Sequence, residues 1–112
     1  MYYVVTNKSC LKGSAPVFIL ILKYVKPLTE VDLALKEHIS YLEKYYTLKK
    51  FICSGRQNPR IGGVILCTAK DTDEVKAIIK DDPFYTKQLA EYEIIEFSPT
   101  KYADELKPLL NY

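Results

Sequence analysis

The chain has 112 residues, about one domain's worth, and its 48% hydrophobic and 27% charged residues are a globular composition that excludes disorder. Sixteen basic against fourteen acidic residues leave a net charge of +2, with no basic stripe to mark a nucleic-acid partner. His38 is the sole histidine, so imidazole chemistry rests on that residue or on its copy in a partner.

The longest apolar run, Val17–Leu22, falls far short of the ~20 residues that span a bilayer. The first ten residues lack the charged start, apolar core and small-residue cleavage site of a signal peptide. Cys10, Cys53 and Cys67 form no C-x-x-C pair, and their odd count predicts reduced thiols in a cytoplasmic protein rather than a disulfide framework. One histidine and scattered cysteines predict no zinc site.

Residues 1–16 read as an extension, with a strand-like Tyr2–Val5 followed by a polar stretch containing Gly13 and Pro16. Val17–Tyr24 is a continuous β-prone run ended by Lys26-Pro27, the pattern of a strand buried on both faces. Thr29 is a candidate N-cap, with Glu30 and Asp32 in the first turn where the helix dipole favours acids, and the helix is expected to run to about Leu48. A second strand over Lys50–Ser54 ends in Gly55. A turn-rich loop and Gly62-Gly63 then lead to a third strand over Val64–Thr68. Asp71–Glu74 opens a second helix that Asp81-Asp82-Pro83 stops, because proline restricts the residue before it. Phe84–Ala90 reads as a short helical turn, Glu91–Phe97 as a fourth strand, and Ser98-Pro99-Thr100 as the cap of a last helix over Lys101–Leu110.

This order, β-α-β-β-α-β plus a C-terminal helix over 17–112, predicts an α+β, ferredoxin-like domain with both main helices on one face of a four-stranded antiparallel sheet. The first and third strands are apolar at nearly every position, so the second face also needs cover. Two sheets packed face to face would make a homodimeric α/β barrel. The C-terminal helix folded over the open face would instead leave a monomer.

On the first helix, Val31, Leu35, Ile39, Leu42, Tyr45 and Tyr46 share a side at 100° per residue, and His38 lies among them at heptad spacing from Leu35–Leu42. His38 is therefore either a core histidine bonded to a backbone carbonyl or a general acid/base tuned by a carboxylate. Two aspartates at a helix C-terminus oppose the dipole. They are either a plain stop turn or hold a carboxylate, Asp81 or Asp82, that approaches His38 and fixes its tautomer as a triad aspartate does. The only two arginines, Arg56 and Arg60, flank the hairpin loop. They mark either a solvated tip or a fork for an anionic ligand beside Gly55, Gly62 and Gly63. Those glycines match neither dinucleotide nor P-loop spacing, and Ser54 has no nucleophile-elbow context.

Three short pieces, His38-x-x-Tyr41-Leu42, Cys53-Ser54-Gly55 and Asp82-Pro83-Phe84, resemble the YCII-related (YciI-like) family in order and spacing, over about Val17 to Phe97. The resemblance implies a dimeric α/β barrel with His38 and Asp82 in the active site and the Ser54-Gly55 strand end lining the same pocket. The family is similar to muconolactone-isomerase-like and dehydrochlorinase-like barrels that move protons on small, often anionic or phenolic, molecules. Three features depart from its pattern: the 16-residue extension, Arg56 where a proline is common, and the missing glycine just before the second strand. Two functions follow as expectations. One is a cofactor-free lyase or isomerase with His38 as acid/base, Asp82 as orienter and Arg56 as anion anchor. The other is a non-catalytic, small-ligand-binding or dimeric interaction module.

Overall fold

The computed structural model describes residues 16–110, so the predicted Tyr2–Val5 strand and nearly all of the predicted extension lie outside the described residues. β1 (Val17–Tyr24), β2 (Phe51–Arg56), β3 (Gly62–Thr68) and β4 (Ala90–Phe97) form one sheet in the order β2-β3-β1-β4. Every neighbouring pair is antiparallel. The strands are rich in β-branched and aromatic residues, which pack well on a pleated surface. With α1 (Leu28–Leu33), α2 (Leu35–Thr47), α3 (Thr72–Lys80), α4 (Pro83–Thr86) and α5 (Lys107–Leu110), this is the ferredoxin-like α+β arrangement, the chain fold from which dimeric α/β barrels are built.

Register decides which residues reach the helices. Leu20 lies opposite Ile65 and Ile94, and all three are buried in one cluster with Val31, Tyr41 and Ile79 from the helices. Ile21, the next residue, lies opposite Val64 and Glu93 on the other face, where Ile19, Leu66 and Ile95 are also half-buried while Val17 and Thr68, at the Phe97 end, are buried. No helix among the described residues is long and apolar enough to cross a membrane.

Strict alternation fails once, and the exception shapes the site. Phe51 pairs with Cys67 but Cys53 pairs with Leu66, so β2 carries one extra residue and a bulge. The bulge shifts the phase, so Ser54 and Arg56 join Phe51 on the helix-covered face while Cys53 and Gly55 turn to the open one.

The helices differ from expectation in three places. The single helix expected over Thr29–Leu48 is two, offset at Ala34 (φ −100°, ψ 1°). Its start is capped by Pro27 rather than Thr29, the Pro27 carbonyl accepting from the Glu30 and Val31 amides. The offset turns His38 and Tyr41 into the core and leaves Leu35 and Ile39 partly exposed. No glycine or proline marks this break in Leu33-Ala34-Leu35. The C-terminal helix does not begin at Lys101. Ala103 is extended, a 3-10 turn spans Asp104–Leu106, and α5 follows. Pro108 is the physical cause: it has no amide hydrogen and its ring clashes with the preceding turn, so it is tolerated only in a first turn. At four residues α5 is about 6 Å long. Four strands are roughly 14 Å across, more than twice the length of α5.

Where α2 meets β2, Lys49 takes a left-handed φ of 61°, the Lys49 amide bonds to the Tyr46 carbonyl and the Lys50 amide to the Tyr45 carbonyl. This is a Schellman cap with lysine in the position glycine usually fills. Gln88 (φ 56°) closes α4 the same way. Close strand approach demands glycine at Gly62, where a Cβ would sit 1.7 Å from the Leu22 carbonyl oxygen.

Candidate active site

α2 and α4 bring the sole histidine to the second of the paired aspartates. His38 Nδ1 lies 2.8 Å from Asp82 Oδ1. Asp82 is fully buried and is the N-cap of α4, where Pro83 fixes the first helical φ and the Phe84 amide donates to Oδ1 at 2.9 Å. Its other oxygen, Oδ2, accepts from the Tyr92 hydroxyl. Three hydrogen-bond partners on one buried carboxylate compensate for the water it has lost. Such a carboxylate holds the Nδ1 proton of its histidine partner. The Phe84 ring stacks on the imidazole at 3.9 Å with the planes 1° apart. The Asp82-Pro83-Phe84 turn therefore sets the plane of His38 and the ring nitrogen that is engaged.

Asp81 points elsewhere. It is exposed, and it accepts from Lys44 Nζ at 2.7 Å and the Tyr45 hydroxyl at 2.8 Å. These bonds hold its carboxyl below the usual carboxylate range. Around the dyad, burial pushes the ionisation of Tyr41 and Tyr92 upward and the negative charge of Asp82 adds to it, so both phenols remain protonated. Tyr41 donates to the Ile78 carbonyl at 2.9 Å. Burial likewise pushes the Cys67 thiol up to about 12.

A cavity of about 210 Å³ opens beside His38 between α2, α4 and the β2–β3 end of the sheet. Leu35, Ile39, Leu42, Ile65 and Phe84 give it apolar walls. Among the described residues every buried side-chain nitrogen or oxygen has a partner, and His38 bonds only through Nδ1, so Nε2 is open to solvent at the cavity wall.

The structure brings Ser54, Gly55 and Arg56 to this cavity, by three different routes. Ser54 presents a hydroxyl that hydrogen-bonds the Tyr46 hydroxyl at 2.7 Å. Gly55 contributes backbone only, and a Cβ there would meet nothing within 4 Å, so close approach does not require glycine at this position. The Arg56 guanidinium has no ion pair or hydrogen bond among the described residues. Arg60 also lines the cavity but is engaged, bonding Asp32 on α1 at 2.6 Å with its guanidinium 5.9 Å from the Tyr24 ring centroid. The loop therefore offers one free guanidinium rather than two.

Sequence reasoning missed Tyr92. Alternation along β4 puts Tyr92 on the same face as Ile94, which was readable, but the reach of its hydroxyl to Asp82 depends on the placement of α4. The stacking role of Phe84 was hidden for the same reason.

Comparison with known proteins agrees with the fold. The structure is similar to 5-chloro-2-hydroxyhydroquinone dehydrochlorinase from Burkholderia phenoliruptrix AC1100, solved in complex with 2,5-dihydroxybenzoquinone. The TM-score is 0.60 at 19% identity, covering 80% of this chain and 97% of that one. No curated protein matches by sequence. The family model for the YCII-related domain matches residues 17–98, a span that contains His38, the Ser54–Arg56 strand end and Asp82, and the chain belongs to that family.

Proposed function

We propose that the protein is a proton-transfer enzyme, a lyase or isomerase, acting on a small single-ring phenol or aromatic acid. One observation carries this reading: His38 Nδ1 is engaged by the buried Asp82, while Nε2 is open at the wall of an apolar cavity. An imidazole so held accepts a proton on Nε2, and the carboxylate stabilises the imidazolium that results. In an isomerisation the proton returns to another atom of the substrate. In an elimination one phenolic proton moves to the chlorine-bearing carbon to give the keto tautomer, and a second goes to Nε2 as chloride departs with the C–Cl electron pair, leaving a quinone.

The cavity supports the substrate class. Apolar cavities of about 150 Å³ hold benzene, so 210 Å³ suits one ring with a few substituents. Arg56 supplies a single cation for a phenolate or carboxylate. The fold neighbour's substrate, a chlorinated hydroxyhydroquinone, is accordingly the first compound to offer.

The test is chloride release from 5-chloro-2-hydroxyhydroquinone, together with deuterium uptake from solvent into hydroxylated aromatic acids. His38→Ala is expected to lower the rate about 10²–10⁴-fold, the usual contribution of a general base. Arg56→Ala is expected to raise KM with little change in kcat. Binding of these compounds with no chloride release and no exchange would overturn the enzyme reading in favour of a ligand-binding module.

We further propose that a second copy of the chain covers the open face of the sheet. That face is a band of half-buried aliphatic residues, Ile19, Ile21, Val64, Leu66 and Ile95, which α5 is too short to cover in full. Lys23 lies opposite Glu91 at its margin, so the charged residues there are already paired within the chain and the aliphatic band is what a second copy would cover. Light scattering is expected to give twice the chain mass, and a single-chain mass at micromolar concentration would overturn the proposal.

A further inference from the structure

We propose that Tyr92 is a positioning residue that decides whether Nε2 of His38 accepts or donates a proton, acting through Asp82 rather than on the substrate. This rests on the proton-transfer reading above, although its test does not need a substrate.

The inference follows from counting donors around one carboxylate. Asp82 is fully buried and its two oxygens receive three bonds. Two of them, from Phe84 N and His38 Nδ1, fall on Oδ1, and both come from residues fixed close to the dyad. Oδ2 has the Tyr92 hydroxyl. Tyr92 is itself buried on β4, opposite Leu22, with the Tyr85 ring packed edge-on at 6.0 Å, so its hydroxyl has a fixed aim. Phenol oxygens both donate and accept, but beside an ionised carboxylate only the donating orientation is favourable. Burial together with the charge of Asp82 keeps that proton on the phenol.

Remove the hydroxyl and Oδ2 becomes a buried acceptor without a partner, a costly state. The cheapest repair is for the carboxyl to take up a proton. A neutral Asp82 then has an O–H to donate, and the available acceptor is His38 Nδ1, 2.8 Å from Oδ1. The neutral imidazole would shift its own proton to Nε2. With Tyr92 in place, protons sit on Tyr92 Oη, Phe84 N and His38 Nδ1, all directed at Asp82, and the lone pair on Nε2 faces the cavity. Without it the chain runs the other way, and Nε2 presents a donor where the reaction needs a base.

Because His38 is the sole histidine, one imidazole signal reports the whole effect. The experiment is nitrogen NMR of the full chain labelled at histidine, read at a pH where the ring is neutral. The wild type is expected to show the proton on Nδ1, and Tyr92→Phe to show the Nε2–H form as the major tautomer. Carbethoxylation of His38 by diethyl pyrocarbonate, which needs the Nε2 lone pair, is expected to slow in parallel. Tyr41→Phe is the control. It removes another buried hydroxyl, bonded to the Ile78 carbonyl rather than to Asp82, and is expected to leave the tautomer unchanged. A wild-type tautomer and reaction rate in a folded Tyr92→Phe protein would overturn the proposal and leave the dyad itself standing. If Tyr92→Phe does not fold, the wild type supplies the answer. A slowly exchanging phenolic proton that disappears in Asp82→Asn supports the proposal, and its absence in the wild type overturns it. Failure of every turnover assay alongside the tautomer shift would sink the enzyme reading without touching the role of Tyr92.

Discussion

The two faces of the sheet are made by the same four strands and have different chemistry. On the helix-covered face Phe18, Leu20 and Ile94 are fully buried, and a polar network of His38, Asp82 and Tyr92 is embedded among them. On the open face Ile19, Ile21 and Leu66 are half-buried. The middle of the open face is therefore less completely buried by this chain than the face that carries the site. The sharpest way to break this comparison is to truncate neighbours that point in opposite directions. Phe18→Ala is expected to cost about 3–5 kcal/mol in urea unfolding, the range for a buried aromatic in a packed core. Ile19→Ala is expected to cost about 1 kcal/mol in an isolated chain, since its area is only partly removed from water. If a second copy covers the open face, the cost of Ile19→Ala grows and the unfolding midpoint rises with protein concentration. Equal costs at every concentration would contradict the distinction between the faces.

Adjacent aspartates make the same comparison at the scale of one peptide bond. Asp82→Ala leaves Phe84 N, Tyr92 Oη and His38 Nδ1 without their buried partner, and is expected to cost about 3 kcal/mol or more. Asp81→Ala removes an exposed pair with Lys44 and Tyr45, and is expected to change the midpoint far less. Its signature is in acid. A carboxyl held below its ordinary 3.8 contributes stability that is present above that value and is lost as pH falls through the lower folded value. The acid limb of a stability profile is therefore expected to flatten in Asp81→Ala.

What could be read from the sequence divides along physical lines. Strand order and the His38–carboxylate encounter follow from hydrophobic runs, from the known geometry of the βαββαβ frame and from the family resemblance. Asp81 and Asp82 could not be told apart, because consecutive residues differ in direction only once the α3–α4 turn is built. The β2 bulge was invisible, since alternation from Phe51 would have sent Ser54 and Arg56 to the open face, and only the resemblance placed Ser54 in the pocket. Pro108 was a readable sign that the last helix starts late, and the reading of Ser98-Pro99-Thr100 as its cap passed over it. The break at Ala34 has no local marker. Packing decides it, by turning His38 rather than Ile39 toward the core.

Alkaline pH gives a third and smaller contrast between the faces. Burial holds the Cys67 thiol, raised from 9.0 to about 12, and the phenols of Tyr41 and Tyr92 in their neutral forms on the covered face. The unfolded chain releases these protons earlier, so their stabilisation is fully present below the unfolded values of 9.0 and 10.0 and is lost as pH rises toward the folded ones. Each group removes about 1.4 kcal/mol per pH unit over that window. Cys67→Val keeps the volume and removes the thiol. It is expected to shallow the stability loss between pH 9 and 12 by about that slope, while neutral-pH stability changes little. An unchanged slope would mean that the thiol ionises freely in the folded chain.

The smallest expected effect lies at the joint that delivers the covered layer to the sheet edge. Lys49 holds φ 61° in the cap between α2 and β2. A left-handed conformation costs an L-residue roughly 1–2 kcal/mol, and the cap's two hydrogen bonds use only backbone atoms. Lys49→Gly therefore removes strain without removing a contact that the cap needs. Part of the gain is offset because glycine has more freedom to lose from the unfolded chain. The net expectation is stabilisation of about 0.5–1 kcal/mol in urea unfolding, with the tautomer of His38 unchanged. Gly62→Ala gives the opposite sign, since its Cβ would meet the Leu22 carbonyl at 1.7 Å in a strand pair that cannot separate without breaking the β1–β3 ladder. Destabilisation by both substitutions would show that the lysine at the cap is held by something other than its backbone.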